Sequence, residues 1–200
     1  SNKEIAELIG TTSLPENGVS ADELLAKTTD ILMENSLLNG HPKFMGYITS
    51  SPAPIGVLAD LLAATINPNV GAQILSPVAT EIEKQTIQWL AEFIGVSPTY
   101  GGILVSGGNM ANFTGFLAAR TAKASKEIKE KGISSTTNQL TVYCSDTTHT
   151  WVEKAVILFG LGTDSVRWIP SDEKNKMKID LLEKTISEDV KNGCTPMIII

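Results

Sequence analysis

The sequence predicts an α/β fold in which a mainly parallel sheet is flanked by helices on both faces. From residue 102 onward, short apolar runs alternate with longer segments whose apolar residues recur at helical spacing. The apolar runs predict strands at residues 103–105, 140–144, 165–169 and 196–200. Because ligands bind at the carboxyl ends of the strands in such sheets, the turns at 105–109 and 145–149 are predicted to face the same edge.

Helices and loops account for the segments between these strands. Helical spacing predicts one helix that begins at Asn109, a second at 152–158 and a third that begins at Asp180. The charged run at 126–131 is interpreted as the solvated end of the first of these helices. Segments rich in turn-forming and small polar residues, at 11–20 and 134–138, are predicted loops.

A helical region precedes the alternating part of the chain. Ser20 and Glu23 fit a Ser-x-x-Glu capping box, which predicts a helix that begins beside Ser20. Residues 55–66 form a helix so apolar that we expect it to be buried in the core or in a subunit interface. The Ser-Pro pair at 76–77 predicts the start of a further helix, which Gly95 ends in a left-handed conformation.

The composition indicates a globular chain with a substantial core. Hydrophobic residues make up 42% of the 200 residues and charged residues 19%. The formal net charge of −6 argues against non-specific binding to nucleic acid or anionic membranes. The sequence contains no apolar run as long as a membrane span and no recognisable secretory signal. We therefore expect a cytoplasmic protein in which Cys144 and Cys194 are unpaired, packed thiols.

The last residues suggest that more chain follows. Residues 196–200 are apolar and predict a buried parallel strand, which a following helix normally covers. We therefore expect this sequence to be the N-terminal part of a longer protein.

The most informative stretch joins the first predicted strand to the helix that follows it. Gly107 and Gly108 form a small-residue turn with Ser106, and Asn109 can cap the helix and donate from its amide. The unpaired backbone N–H groups at a helix start favour an anion, and glycines allow a phosphate to approach closely. The turn lacks the lysine of a P-loop and the spacing of a dinucleotide fingerprint. It predicts either a seat for a phosphorylated cofactor or an ordinary turn that binds no ligand.

His149 follows the second predicted strand in a run of small polar residues. Three interpretations are open: stacking on a planar ring, acid–base catalysis near neutral pH, or capping of the next helix. The surrounding residues do not have the spacing of a metal site. Ser106 does not lie in the Gly-x-Ser-x-Gly elbow of a serine hydrolase. A further turn-rich segment, at 41–54, is either the lining of a pocket or a packed surface connection.

Six segments, in their order and spacing, carry a resemblance to a known family. They are 41–47 (HPKFMGY), 58–62 (LADLL), 76–83 (SPVATEIE), 105–112 (VSGGNMAN), 118–121 (AART) and 148–155 (THTWVEKA). Together they resemble the group II pyridoxal-5′-phosphate (PLP) dependent decarboxylases, which include the aromatic-L-amino-acid and glutamate decarboxylases. The resemblance implies the large domain of the fold type I PLP enzymes and decarboxylation of an L-amino acid to an amine and CO₂.

The resemblance also implies roles for individual residues. Gly107, Gly108 and Asn109 would hold the phosphate of the cofactor. His149 would stack on the pyridine ring and assist proton transfer to the carbon that loses CO₂. These implied roles agree with the chemistry that the two turns offer by themselves.

Further implications concern the substrate and the assembly. The loop at 41–50 would line the substrate pocket, with Tyr47 and Ser50 as contacts. Family members are homodimers with an active site at the subunit interface. Residues 1–54 would then form an N-terminal helical segment with the pocket loop, and residues 55–200 the first part of the PLP-binding large domain.

Three departures from the family pattern qualify these expectations. The Schiff-base lysine and the aspartate that binds the pyridinium have no counterpart in residues 1–200, so we expect this chain alone to be inactive. The segment 69–73 (NVGAQ) is less apolar than in aromatic-amino-acid members, which puts an aromatic substrate in doubt. Met110 stands where an acidic residue is usual.

Two alternatives stay open beside the decarboxylase. One is another fold type I PLP activity, either a carbon–carbon lyase or a decarboxylating oxidase that forms an aldehyde. The other is a non-catalytic relative that kept the fold and lost the cofactor.

Overall fold

A computed structural model describes residues 2–10, 13–135 and 138–200, and within them it forms helices and a parallel sheet. The helices are α1 (Asn2–Ile9), α2 (Ala21–Asn35), α3 (Pro54–Ile66), α4 (Pro77–Phe93), α5 (Gly108–Lys123), α6 (Ile128–Lys131), α7 (Trp151–Leu158) and α8 (Ile179–Lys191). The strands are β1 (Leu140–Ser145), β2 (Val166–Ile169) and β3 (Thr195–Ile199). Parts of two predicted loops, residues 11–12 and 136–137, lie outside the described residues.

The described chain divides into two units, one that ends at Pro77 and one that begins at Val78. The first contains α1 to α3, and the second contains the sheet and the helices around it. The predicted boundary between residues 54 and 55 concerns the complete large domain and stays a prediction.

The sheet is parallel, with β1 between β2 and β3. Val142 of β1 lies opposite Val166 of β2 and Ile198 of β3. The predicted strands at 140–144, 165–169 and 196–200 are therefore confirmed, with ends that differ by one residue. A central strand between two parallel neighbours must be covered on both faces, and this explains the apolar character of β1.

Helices cover both faces of this sheet, as predicted. On one face the side chains of β1 pack against α5 and α7, in a cluster that includes Phe116, Val142, Cys144, Val152 and Val156. On the other face Tyr143, Ile169 and Leu182 form a smaller cluster beneath α8. Burial raises the pKa of the Cys144 thiol to about 11, so this side chain is an unreactive core residue.

A buried polar network ties α8 to the strands. The Tyr143 hydroxyl donates to Asp189 Oδ2 at 2.7 Å and lies 2.8 Å from the Thr141 hydroxyl. The Arg167 guanidinium donates to both carboxylate oxygens of Asp189, at 2.8 to 3.1 Å. Burial raises the pKa of Tyr143 to about 12, and the hydrogen bonds to Asp189 raise the pKa of Arg167. All the charge that is buried here is therefore paired.

The predicted strand at 103–105 is wrong. Residues 101–105 have no regular secondary structure, and the side chains of Ile103 and Leu104 are exposed. A strand needs a neighbour that satisfies its backbone, and the described sheet ends at β2 and β3. The Leu104 N–H instead donates to the Glu83 carboxylate at 2.9 Å.

The limits of α5 also differ from the prediction. The N-cap is Gly107, with φ +86° and ψ +163°, so Asn109 is the second helical residue and does not cap the helix. Gly108 is thus the first helical residue, one residue before the predicted start, and glycine at the N-cap position 107 tolerates the positive φ. The charged run at 126–131 is not the end of α5, which stops at Lys123, but overlaps the separate helix α6.

The Ser20 N-cap and the left-handed Gly95 are confirmed, but the predicted burial of α3 is not. The Ser20 hydroxyl accepts from the Glu23 N–H at 3.2 Å, and Gly95 has φ +78°. Helix α3 contains no buried residue. Burial of α3 in the core of this chain is therefore wrong, and burial in a subunit interface stays a prediction.

Candidate functional site

A cavity of about 600 Å³ lies at the N-terminus of α5, beside the loop that follows β1. Its lining residues are Ser106, Gly107, Gly108, Asn109, Asn112, His149 and Trp151. The four residues predicted to hold a cofactor, Gly107, Gly108, Asn109 and His149, thus border one cavity. Their individual roles stay predictions.

The backbone at the start of α5 is suited to an anion. The Gly107 carbonyl accepts the Ala111 N–H at 3.2 Å, which closes the first turn of the helix. The N–H groups of the residues between them belong to the first turn and have no intrahelical acceptor. A Cβ added at Gly107 or Gly108 would meet no described atom within 4 Å. The cradle therefore leaves room for a phosphate, and its donors match that group.

Two polar side chains supplement these backbone donors. Asn109, in the first turn of α5, borders the cavity, and its amide can donate to an oxyanion. Asn112 borders the same cavity but was not predicted from the sequence. The spacing of three residues places both asparagines on one helix face, and this signal could have identified Asn112.

His149 borders the cavity from the loop that follows β1. Its side chain is exposed, and its Nδ1 accepts a hydrogen bond from the Trp151 N–H at 3.2 Å. In the neutral ring this bond places the proton on Nε2. The bond supports the helix-capping interpretation, and it also leaves Nε2–H available to a ligand.

Aromatic packing holds the two sides of the cavity together. Trp151, which is 8% exposed, lies edge-on to Phe116 with ring centroids 6.4 Å apart. Phe116 stacks on Phe159 at 5.3 Å, and Phe113 contacts both Trp151 and Phe159. Because these rings join α5 to α7, they fix the distance between the glycine turn and the His149 loop. Trp151 itself was not predicted as a lining residue.

Tyr47 and Ser50 lie in the other unit, in the segment between α2 and α3. Both side chains are exposed, and the Tyr47 ring lies 6.3 Å from the ring of Phe44. Tyr47 has φ +58°, a conformation that is uncommon for a residue other than glycine. Such outliers often occur in binding segments, which is consistent with the predicted substrate contact.

No described helix is long and apolar enough to cross a membrane. No group of three or more His, Cys, Asp or Glu side chains within residues 2–10, 13–135 and 138–200 is placed to hold a metal ion.

The fold and the cavity define an α/β domain in which a glycine turn at a helix start and a histidine border one cavity. Residues 5–200 match the family model described as the pyridoxal-dependent decarboxylase conserved domain. The chain belongs to this family, whose cofactor is PLP. The predicted fold class, the first part of the fold type I large domain, is confirmed, and so is the predicted family.

Individual relatives support the same assignment. The chain is 33% identical to an aromatic-L-amino-acid decarboxylase of Bacillus atrophaeus over 95% of this chain and 38% of that protein. It is 31% identical to a glutamate decarboxylase-like protein of Gibberella zeae over 98% of this chain and 37% of that protein. The crystal structure of mouse CSAD superposes on all of this chain and 41% of its own, with a TM-score of 0.89 at 24% identity. The chain therefore spans about two-fifths of the length of these proteins.

Proposed function

We propose that the complete protein is a PLP-dependent carboxy-lyase that converts an L-amino acid to the amine and CO₂. The observation that carries the proposal is the placement of Gly107, Gly108, Asn109 and His149 around one cavity. Family membership supports the cofactor and the class of reaction. When bound, PLP supplies the electron sink that makes loss of CO₂ possible, and the protein supplies orientation and electrostatics.

The residues at the start of α5 bind the phosphate in this proposal. The N–H groups of Gly108 and Asn109 donate to it, and the Asn109 amide adds a side-chain donor. The positive end of the α5 dipole favours its negative charge.

His149 has two roles in the proposal. Its ring stacks on the pyridine, and its Nε2 holds the proton that is transferred to the carbon from which CO₂ departs. The bond from Trp151 to Nδ1 fixes the tautomer, because the acceptor nitrogen cannot carry the proton.

The substrate is proposed only as an L-amino acid. Tyr47 and Ser50 are its proposed contacts, from the segment at 41–50. The polar character of residues 69–73 favours a substrate without an aromatic side chain. The names of the two relatives specify different amino acids, which supports the reaction class more than any one substrate.

We further propose that the protein is a cytoplasmic homodimer with a shared active site. The apolar surfaces of α3 and α4 support an interface, because large exposed apolar patches usually mark contact sites. The Schiff-base lysine and the pyridinium-binding aspartate are proposed to lie outside residues 1–200. The 200-residue chain by itself is then inactive.

An absorbance spectrum of the complete protein with added PLP tests the proposal. We expect a band at about 420 nm, which borohydride reduction traps on one lysine outside residues 1–200. Amino acids are then screened for release of CO₂. An amine product supports the decarboxylase, whereas an aldehyde product indicates a decarboxylating oxidase. Absence of both the band and a modified lysine contradicts the proposal and indicates a non-catalytic relative.

Two glycines of α5 provide a matched pair of variants for the phosphate site. Gly108→Ala places a methyl group at the cavity, and we expect the PLP dissociation constant to rise about tenfold or more. Gly115→Ala adds the same methyl group in the same helix, where a Cβ also meets no described atom within 4 Å. Gly115 lies outside the set of residues that line the cavity, so we expect this variant to bind PLP normally. Equal affinities for the two variants would contradict the proposed phosphate site.

A further inference from the structure

The loop between β1 and α7 determines where the His149 ring lies. Residues 146–150 form no helix or strand, so local hydrogen bonds must fix their conformation. A turn closes the start of the loop, where the Thr148 N–H donates to the Ser145 carbonyl at 2.9 Å. The Thr147 N–H donates to the Ser145 hydroxyl at 3.2 Å. These bonds shape the loop but attach it to no other part of the fold.

Asp146 attaches this loop to the segment that follows β2. Its Oδ1 accepts two hydrogen bonds from Ser171, one from the hydroxyl at 2.6 Å and one from the backbone N–H at 3.1 Å. The Ser171 hydroxyl also lies 2.9 Å from the Ser145 hydroxyl. The bonds from Ser171 lower the pKa of Asp146, so the carboxylate is ionised and the bonds are charge-assisted.

Ser171 is itself held in a well-bonded turn. The Lys178 N–H donates to the Pro170 carbonyl at 3.0 Å, which closes the turn at its base. Inside the turn, the Asp172 N–H donates to the Lys176 carbonyl at 2.8 Å and the Asn175 N–H donates to the Asp172 carbonyl at 3.0 Å, so backbone bonds hold the turn. Ser171 therefore offers Asp146 an anchor on an ordered turn at the carboxyl edge of the sheet.

We propose that Asp146 is a positioning residue, which sets the place of His149 in the active site by joining its loop to Ser171. Asp146 lies outside the set of described residues that line the cavity, so it is not proposed as a catalytic residue. The Asp146 N–H also donates to the Ile169 carbonyl at 3.0 Å, a backbone bond that a side-chain substitution keeps. Because Asp146 is three residues before His149, loss of its two side-chain bonds would loosen the loop and displace the ring. The inference rests on the proposed function of His149 and adds a residue that acts through it.

Three variants of the complete protein test the inference. In Asp146→Ala the loop loses both bonds, and we expect kcat to fall about tenfold while KM changes less than about twofold, since misplacement of a catalytic group by about 1 Å is costly. Ser171→Ala keeps the backbone donor, so we expect a loss of about threefold. Asp146→Asn keeps an acceptor oxygen, and we expect it to recover most of the activity. The visible circular dichroism of bound PLP should weaken in the same order, because it reports the environment of the ring.

Asp172→Ala is the matched control. It also removes a carboxylate that accepts two hydrogen bonds, but those bonds lie inside the turn. We expect this variant to keep the kcat and the PLP dichroism, although its melting temperature is expected to fall as much as that of Asp146→Ala. Equal losses of kcat in the two variants would show that general loosening is responsible and would overturn the positioning role.

A double-mutant cycle with His149→Ala separates an effect through His149 from an independent one. In the His149→Ala background we expect Asp146→Ala to lower kcat less than about twofold, because the residue that it positions is absent. A full tenfold loss in that background would overturn the inference. If the unmodified complete protein binds no PLP, the proposed function fails and the inference fails with it. Normal PLP binding and CO₂ release, together with an unaffected Asp146→Ala variant, would overturn the positioning role alone.

Discussion

Strand β1 and helix α3 are both strongly apolar, yet the chain buries one and exposes the other. Five of the six residues of β1 are buried, whereas α3 contains no buried residue. Strand β1 has β2 and β3 at its sides, α5 and α7 on one face and α8 on the other. Apolar composition therefore indicates that a segment needs cover, and the surrounding elements decide whether this chain provides it.

The largest expected effect on stability lies in the sheet region, whose apolar faces are covered by helices of the same chain. Phe116 is 0% exposed and packs between α5 and α7. We expect Phe116→Ala to lower the free energy of unfolding of the complete protein by about 3–5 kcal/mol, because it removes buried surface and leaves a cavity. Urea denaturation at several protein concentrations measures this loss, which should not depend on concentration. A loss below about 1 kcal/mol would show that the cluster is not a packed core.

The next effect concerns the buried ion pair on the other face of the sheet. Asp189→Ala removes the acceptor for Arg167 and for the buried Tyr143 hydroxyl. The side chains of Asp189 and Arg167 are 10% and 24% exposed, so we expect a loss of about 2–4 kcal/mol, less than for a fully buried pair.

An exposed ion pair on the same helix provides the control for this prediction. Glu188 lies 3.9 Å from Lys184, and both side chains are more than half exposed. We expect Glu188→Ala to change the unfolding free energy by less than about 0.5 kcal/mol. Similar losses for the Asp189 and Glu188 variants would show that burial of the Asp189 pair carries no extra energy.

The sheet region was largely predictable from the sequence, because its elements are marked by local patterns. The β-branched and aromatic run at 140–144 and the helical spacing after Asp180 identified elements whose partners lie in the same chain. The strand predicted at 103–105 does not form, and the reason is the same one that leaves α3 exposed and β1 buried: whether the chain supplies elements that cover the segment. An apolar run predicts burial, but it does not reveal whether a neighbouring strand is available.

The candidate site was predictable in those parts that are marked by a few neighbouring residues in the sequence. The turn at 107–109 and His149 were both expected at one sheet edge, and the structure places them around one cavity. The link between Asp146 and Ser171 spans 25 residues, and the bond between Tyr143 and Asp189 spans 46. Contacts over such separations depend on topology and register, which local patterns do not specify.

The alkaline pH dependence of stability gives a smaller effect, which isolates one buried group. The folded pKa of Tyr143 is raised by burial from 10.0 to about 12, so folding favours the neutral phenol. The resulting stabilisation, about 2 kcal/mol, is fully present below pH 10.0 and is lost as the pH rises toward about 12.

The Tyr143→Phe variant separates this contribution from the titration of lysines in the same range. We expect the difference in unfolding free energy between the wild type and Tyr143→Phe to shrink by about 2 kcal/mol between pH 10.0 and about 12, measured by urea denaturation. A difference that stays constant across this range would show that the phenol titrates alike in the folded and unfolded chain.

The smallest effect bears directly on what covers α3. Leu61 lies in the middle of α3 and is 63% exposed. If a second subunit covers this helix, as the homodimer proposal requires, Leu61→Glu should raise the dimer dissociation constant about tenfold, or about 1.4 kcal/mol. Sedimentation measurements over a range of concentrations would detect this shift.

Val190→Glu is the matched control for Leu61→Glu, because it places the same charge at a residue of α8 that is 55% exposed. Helix α8 belongs to the region that covers its own apolar faces, so we expect this variant to dimerise normally. If both variants dimerise like the wild type, α3 is not part of the dimer interface. The contrast between β1 and α3 would then require another partner for α3. If only the Leu61→Glu dimer dissociates, the two apolar segments are buried in different ways. Strand β1 is buried by elements of its own chain, and α3 is buried by a second subunit.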